Sequence, residues 1–207
     1  VFEFLDPSSF IDNALSNVIL AVFSGMLIAG GVIFLFFGSF RTSLLIGLAM
    51  PLSLGLGIIL MKLNSISINL LSLGGMALAV GMVVDGAVVV IENIERHFEN
   101  NFDAKSRIDL TVHAVKEVFP ALVASVLTTV VVFFPLTMTS PIAEAVLGDL
   151  ARVIIVVMIM SLLVSLIFIP RFSLSLNRRE VKKKNRLVSS FNRLVDAILK
   201  TYLWILN

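Results

Sequence analysis

The sequence predicts an all-α membrane protein: a bundle of five transmembrane helices followed by an amphipathic helix at the membrane interface. Of the 207 residues, 58% are hydrophobic and 14% are charged, whereas about a quarter of the residues of a soluble domain carry charge. The mean hydropathy is +1.03. The apolar residues form runs of about 20 or more, the length that a helix needs to cross a bilayer. A bilayer is therefore the expected solvent.

Five segments are long and apolar enough to span the membrane. Since backbone polar groups in lipid must be satisfied internally, and the runs do not alternate as barrel strands do, each segment is expected to be a helix. Residues 1–12 precede them as an acidic lead-in. The expected spans are residues 13–40, 42–61, 63–94, 118–139 and 153–170.

Lysine and arginine are distributed unevenly between the connecting segments. Arg41, the bases between the third and fourth spans, and everything from Arg171 onward lie on one side of the bundle, whereas the other side holds Lys62 and Arg152. By the positive-inside rule, the N-terminus is expected outside the cell membrane and the C-terminal basic segment in the cytoplasm. An odd number of spans agrees with that orientation.

The segment at residues 171–200 changes character. It contains the basic cluster RREVKKKNR from Arg178, after which apolar residues recur at steps of three and four from Leu187 to Leu199. We expect an amphipathic helix in the cytoplasmic interface, attracted to anionic lipid headgroups. The alternative is a soluble helix packed on a partner domain. Residues 201–207 are expected to begin a further span, and because the chain starts with Val1 and shows no signal peptide, we interpret it as a piece of a longer protein.

The polar stretch between the third and fourth spans predicts a helix end, a turn near residues 100–103, and a new helix from about Ala104. His97 and His113 are separated by that turn and lack the spacing of metal ligands, so we predict solvated side chains and no metal site. There are no cysteines, which excludes disulfides and thiolate ligands. We predict no enzymatic activity, no cofactor and no nucleic-acid partner.

Asp85 is the charged residue that most needs explaining, because no other charge occurs between residues 63 and 91. Placing a charged aspartate at the centre of a span costs about 2.5–3.5 kcal/mol on insertion scales. Pairing with a cation or uptake of a proton lowers that cost. The five expected spans contain no lysine, arginine or histidine, so a partner from elsewhere and a proton or ion pathway are expected. The alternative is a structural carboxyl bound by hydroxyls such as those of Thr128, Thr129 or Ser72.

Small residues share a helix face with Asp85. Steps of three and four residues place Gly74, Ala77 and Gly81 on that face, and Gly86 follows the acid directly. Small side chains let membrane helices approach closely. Asp85 is therefore expected to face protein rather than lipid.

Glu92 and Asn93 lie about two turns further along the same helix. Glu92 shares the helix face of Asp85. We consider Glu92 and Asn93 secondary candidates for a proton relay. A solvated helix end is the alternative for Glu92.

The stretch GMVVDGAVVVIENIER, residues 81–96, resembles the fourth-helix signature of the resistance-nodulation-division (RND) efflux transporters. DPSSFIDNALSNVILAVF resembles the start of that family's second helix, FRTSLLIGLAMPLSL its third, and LNSISINLLSLGGMALAVGMVVD the turn into its fourth. The later spans and the amphipathic helix resemble the fifth helix, the sixth and the interfacial helix before the seventh. The resemblance covers about residues 4–207 in the right order.

The resemblance implies a proton-driven exporter of the bacterial inner membrane, usually a homotrimer with large periplasmic porter domains. Drug-exporting members of the family join a periplasmic adaptor and an outer-membrane channel. Asp85 would be the proton site, and the lysine that usually pairs with it would come from a tenth helix outside this chain. Drug exporters usually carry two adjacent aspartates, whereas Gly86 follows Asp85 here and the second aspartate is absent. Some relatives of the family, including metal exporters, also have only one. This departure weakens a drug-pump assignment and leaves proton coupling plausible.

Two other functions remain open at this point. A protein-export accessory of the SecD/SecF kind has a similar fourth helix and the same fold. A non-transporting membrane module, such as a lipid-sensing or scaffolding bundle, would also fit the hydropathy. The substrate and the proton stoichiometry do not follow from the sequence.

Overall fold

The fold is an antiparallel bundle of long helices, seen in a computed structural model that describes residues 7–100, 106–138 and 144–175. Every regular element among those residues is helical, as predicted. The helices are α1 (Pro7–Phe37), α2 (Phe40–Leu63), α3 (Leu70–Asn100), α4 (Arg107–Phe133), α5 (Asp149–Leu163) and α6 (Ile169–Ser173). A 3-10 turn, Phe134–Thr137, follows α4, and π-helical turns at Glu144–Gly148 and Val164–Phe168 flank α5.

Four helical segments are long and apolar enough to cross a membrane: Phe40–Leu63, Leu70–Phe98, Arg107–Thr137 and Asp149–Ser173. In α1 the stretch Val22–Phe37 is apolar as well. The predicted all-α membrane bundle is thereby confirmed. The interfacial helix, the turn near residues 100–103 beyond Asn100 and the start of a further span lie outside the described residues, and the membrane orientation stays a prediction.

The turn between α1 and α2 is set by two residues. Gly38 adopts a φ of 64°, a left-handed conformation that glycine takes without steric cost, and its N–H donates to the carbonyl of Phe34. Ser39 then caps α2, because its hydroxyl accepts from the backbone N–H of Thr42. These two caps end one helix and begin the next within three residues.

The start of α3 is fixed by a reciprocal pair of hydrogen bonds. The Ser72 N–H donates to Asn69 Oδ1 over 2.8 Å, and the Asn69 N–H donates to Ser72 Oγ over 2.7 Å. This arrangement satisfies two backbone donors that a helix start otherwise leaves unpaired. Asn69 Nδ2 also donates to Asp149 Oδ2 over 2.7 Å. The beginning of α3 is therefore tied to the beginning of α5.

The central helix is α3, which packs against α1, α2, α4 and α5. Its buried side chains join two apolar clusters, one around Ile46 and Ile91 and the other around Val83 and Val157. By contrast, α4 is almost wholly exposed along its apolar stretch, so it lies at the edge of the bundle. Asp85 belongs to the central helix and faces this thinly covered side.

Glycines let α5 approach α3, but they are not the ones that the sequence indicated. A Cβ at Gly75 would lie 2.9 Å from the carbonyl oxygen of Leu150. A Cβ at Gly74 or at Gly81 would meet nothing within 4 Å in the described chain. Close packing at those two positions stays a prediction, because no described helix meets them; the face of α3 that meets α5 is rotated from them by one residue, or about 100°. The predicted stripe of Gly74, Ala77 and Gly81 instead borders the open side.

Candidate functional site

Asp85 lies in the middle of α3, at a cleft of about 200 Å³ between α3, α4 and α5. The residue is exposed at the cleft surface. Apolar side chains such as Leu122 and Met158 form much of the lining. An ionisable group thus occupies a small, mostly apolar recess within the membrane-length helices.

Four hydroxyl groups share the cleft with Asp85. Ser125 and Thr129 lie one turn apart on α4, and Ser161 and Ser165 lie at the same spacing on the helix that contains α5. A step of four residues puts each pair on one helix face. The cleft therefore has a hydroxyl-bearing wall on each side of the carboxylate.

The hydroxyls of Thr128 and Thr129 on α4 donate hydrogen bonds to backbone carbonyls of the same helix. Thr129 Oγ1 donates to the Ser125 carbonyl over 3.2 Å, and Thr128 Oγ1 donates to the Ala124 carbonyl over 2.8 Å. Thr129 lines the cleft of Asp85, whereas Thr128 is exposed outside it. Throughout the described part of the chain, the Asp85 carboxylate forms no hydrogen bond with either threonine, so a carboxyl held by these hydroxyls is not observed.

Ser72 is too far from Asp85 to form a hydrogen bond with its carboxyl group. It is completely buried and both its N–H and its hydroxyl belong to the cap of α3. Thirteen residues of helix separate it from Asp85, about 20 Å at 1.5 Å per residue. The expectation that Ser72 could cap the acid is therefore wrong.

Of the predicted glycines Gly74, Gly81 and Gly86, Gly86 is the one that a neighbouring helix approaches in the described structure. A Cβ there would lie 3.1 Å from Ser165 Oγ. Because that distance is shorter than an ordinary contact, a Cβ at this position requires the Ser165 side chain to shift slightly. Gly86 thus fixes the approach of the second hydroxyl-bearing wall to α3.

The structure separates the two secondary candidates. Glu92 is exposed, as expected of a solvated helix end. Asn93 is only 5% exposed, and its Nδ2 donates to the Ala114 carbonyl over 2.7 Å and to Glu117 Oε2 over 3.2 Å. Asn93 therefore joins α3 to α4, and this contact engages its side-chain donors.

Glu117 is a charged residue of this region that the sequence did not single out. Its Oε1 accepts from Arg96 Nη2 over 2.7 Å, and its Oε2 lies 3.3 Å from His97 Nε2. His97 was predicted to be solvated, but its side chain is only 23% exposed; His113 is exposed as expected. The sequence of α4 alone gives no signal that Glu117 belongs to a cluster, because the partners Asn93, Arg96 and His97 all lie on α3.

A second polar cluster joins the helices at the opposite end of α3. Arg152 Nη1 donates to Asp149 Oδ1 over 3.2 Å and Arg152 Nη2 to Glu144 Oε1 over 2.7 Å. Asp149 in turn accepts from Asn69. These contacts fix the position of the start of α5 along the axis of α3. They therefore also fix where the cleft residues of α5 lie relative to Asp85.

The fold and the cleft together define a multi-pass membrane protein that holds an acid among its spans. Acids within membrane helices are rare because they are costly, and they mark ion or proton pathways by default. The AcrB/AcrD/AcrF family model matches residues 1–207, and the chain belongs to this family of RND transporters. Members of the family are generally transporters rather than enzymes.

The individual relatives include a multidrug resistance protein and a toluene efflux pump. Multidrug resistance protein MdtC of Pectobacterium atrosepticum is 33% identical over 180 residues, which are 85% of this chain and 17% of MdtC. The toluene efflux pump membrane transporter TtgE of Pseudomonas putida is 31% identical over 165 residues, 80% of this chain and 16% of TtgE. The chain thus spans about a sixth of the length of these relatives.

A crystal structure of a heavy metal efflux pump has the same fold. It superposes with a TM-score of 0.70 at 27% identity, over 95% of this chain and 20% of the pump. The described helices therefore share the fold of the matching fifth of that pump.

Proposed function

We propose that this chain is part of the proton-conducting transmembrane domain of an exporter that exchanges substrate for protons across the bacterial inner membrane. The observation that carries the proposal is the position of Asp85, an acid inside the central helix and beside a cleft with hydroxyls on both walls. Membership of the RND family supports it.

In the proposed cycle, Asp85 takes up a proton from the periplasmic side and releases it inward. Protonation removes the charge and loosens the pairing of the carboxylate with a cation from another part of the protein. The helices then shift, and the substrate-binding part changes its access. One charge crossing the membrane supplies about 2.3 kcal/mol per 100 mV, so a modest number of protons suffices for uphill export.

Gly86 bears on the proton count. Because a glycine follows Asp85, the site holds one carboxylate at this point of α3, and Ser165 occupies the space beside it. We infer that each passage through the cycle loads one proton at this position.

The remaining features of the whole protein follow from the same proposal. It would be a homotrimer with its N-terminus on the periplasmic side, surrounded by membrane lipids. A periplasmic adaptor and an outer-membrane channel would complete the export route. The names of the relatives cover drugs, toluene and heavy metals, so each of these classes belongs in a substrate panel.

The test replaces Asp85 with Asn in the full-length protein and measures export of that panel from cells. Asp85→Asn keeps the shape of the side chain and removes its proton-binding site, so export should stop at normal expression. The matched control is Asp109→Asn, the same exchange at an exposed acid in the first turn of α4, which should leave export intact.

Normal export by the Asp85 variant would refute the proposal. A wild-type protein that exports nothing from the panel would instead favour the SecD/SecF-like accessory or the non-transporting module. No contact within the described ranges favours either of these two alternatives.

A further inference from the structure

We propose that His97 and Glu117 form a second proton-binding site, at the end of the α3–α4 interface beyond the Asp85 cleft. The site would receive the proton that Asp85 releases, so this inference rests on the proposed function.

The orientation of the imidazole ring fixes which nitrogen carries hydrogen. His97 Nδ1 lies 3.1 Å from the backbone carbonyl oxygen of Asn93. A carbonyl oxygen only accepts, so Nδ1 must be the donor of that bond. In the neutral ring the other nitrogen, Nε2, then carries a lone pair and no hydrogen.

That lone pair is directed at an acceptor. Nε2 lies 3.3 Å from Glu117 Oε2, and an ionised carboxylate offers no hydrogen. Two acceptors at this separation form a hydrogen bond only when a proton lies between them. The pair is thus built to hold one proton, either as imidazolium with carboxylate or as neutral imidazole with carboxylic acid.

Other groups hold the carboxylate in position. Arg96 donates to Glu117 Oε1 over 2.7 Å, and Asn93 donates to Oε2 over 3.2 Å. On α4 itself, Lys116 and His113 are exposed neighbours of Glu117. Arg171 is the charged residue of α6, which also packs on α4. Arg96 and Asn93 thus hold the Glu117 carboxylate beside His97.

The two proton sites lie on the same pair of helix faces. On α4, Glu117, Ala121 and Ser125 follow at steps of four, and the last two line the Asp85 cleft. On α3, Val89 lines the cleft and Asn93 follows one turn later. Asp85 and Asn93 are about 12 Å apart along the helix axis. The second site therefore continues the cleft toward the end where α3 stops and α4 begins.

The first experiment reads the protonation of His97 directly. The full-length protein is labelled with ¹⁵N-histidine in lipid vesicles, and the His97 signals are assigned by their loss in His97→Gln. The spectra should show hydrogen on Nδ1 both in the neutral ring and in the protonated ring. A neutral ring with its hydrogen on Nε2 would overturn the inference.

The second experiment measures proton movement. The full-length protein is reconstituted into phospholipid vesicles with a trapped pH-sensitive dye, and a pH gradient is imposed. Glu117→Gln keeps an acceptor for Arg96 and a hydrogen-bond partner for His97, but it cannot hold the shared proton. It and His97→Gln should each slow proton entry by roughly tenfold or more. The matched control His113→Gln, an exposed histidine on α4, should leave the rate unchanged.

The outcomes separate the two proposals. If Asp85→Asn stops proton entry while Glu117→Gln and His97→Gln match the wild type, the second site is wrong and the first stands. If Asp85→Asn has no effect, the proposed function itself fails, and the histidine spectra still decide whether the pair binds a proton.

Discussion

The hydroxyl of Ser161 on α5 donates a hydrogen bond to the backbone carbonyl of Val83 on α3, over 3.0 Å and fully inside the bundle. Val83 precedes Asp85 by two residues, and Ser161 lines the cleft. The carbonyl of a residue in mid-helix also accepts from its own helix, so the serine adds a second donor there. This bond fixes the wall of the cleft against the helix that carries the acid.

Replacement of Ser161 with Ala should lower the free energy of unfolding by about 1 kcal/mol, the usual net value of one buried hydrogen bond. Thermal unfolding of the full-length protein in detergent measures the change. Ser125→Ala is the matched control, since Ser125 lines the same cleft but is exposed, and it should unfold as the wild type does. Equal losses in both variants would contradict a stabilising role for the Ser161 bond.

Gly75 and Gly74 should differ sharply although they are neighbours. Gly75→Ala places a Cβ 2.9 Å from the Leu150 carbonyl oxygen, and because backbone atoms cannot move aside cheaply, a loss of about 1–3 kcal/mol is expected. Gly74→Ala meets nothing within 4 Å and gains up to about 1 kcal/mol of helix propensity.

Unfolding temperatures of the two alanine variants in detergent test this contrast. Equal stability of the two variants in detergent would show that α3 and α5 do not approach at Gly75.

Asn93 should be needed for stability, whereas its neighbour Glu92 should not. Asn93→Ala removes both donors that reach Ala114 and Glu117 and should cost about 1–3 kcal/mol, because a buried acceptor loses its partner. Glu92→Gln changes an exposed side chain and should lie within about 0.5 kcal/mol of the wild type. Denaturation of the two variants under the same conditions measures the difference in stability. An Asn93→Ala protein as stable as the wild type would show that Asn93 does not link α3 to α4.

Asn69 has two tasks that can be separated by substitution. Asn69→Ser keeps an oxygen that caps α3 but loses the bond to Asp149, whereas Asn69→Ala loses both. The cap is worth about 1 kcal/mol, so the alanine variant should be less stable than the serine variant by about that amount. Thermal melts of the two proteins give the difference, and identical melts would mean that the cap contributes nothing.

Several features of the fold could be predicted from local sequence alone. The helices follow from apolar runs of membrane length, because each must satisfy its backbone bonds within itself. The left-handed Gly38 and the cap at Ser39 are also local. The candidate site was found by the same kind of signal, since one acid in an apolar run stands out whatever surrounds it. For these features no knowledge of neighbouring helices was needed.

The packing faces could not be predicted in the same way. The sequence places Gly74 and Gly75 side by side, and both are small enough to admit a neighbour. Which of them meets α5 depends on the rotation of α3 about its axis, where one residue corresponds to about 100°. That rotation is set jointly by every helix that α3 contacts, so periodicity along one helix does not determine it.

By itself, the sequence determined that this chain is a membrane-embedded helical bundle with an acid at Asp85, because hydrophobicity and charge are properties of single residues and short runs. The tertiary structure alone decided that Ser72 serves a helix cap, that Asn93 links two helices, and that Glu117 meets His97. The contacts of Asn93 and Glu117 join residues twenty or more positions apart on separate helices, and the role of Ser72 depends on which hydrogen-bond partners lie within its reach. Hydrogen bonds have short range and require direction, so they are settled only when the helices are in place.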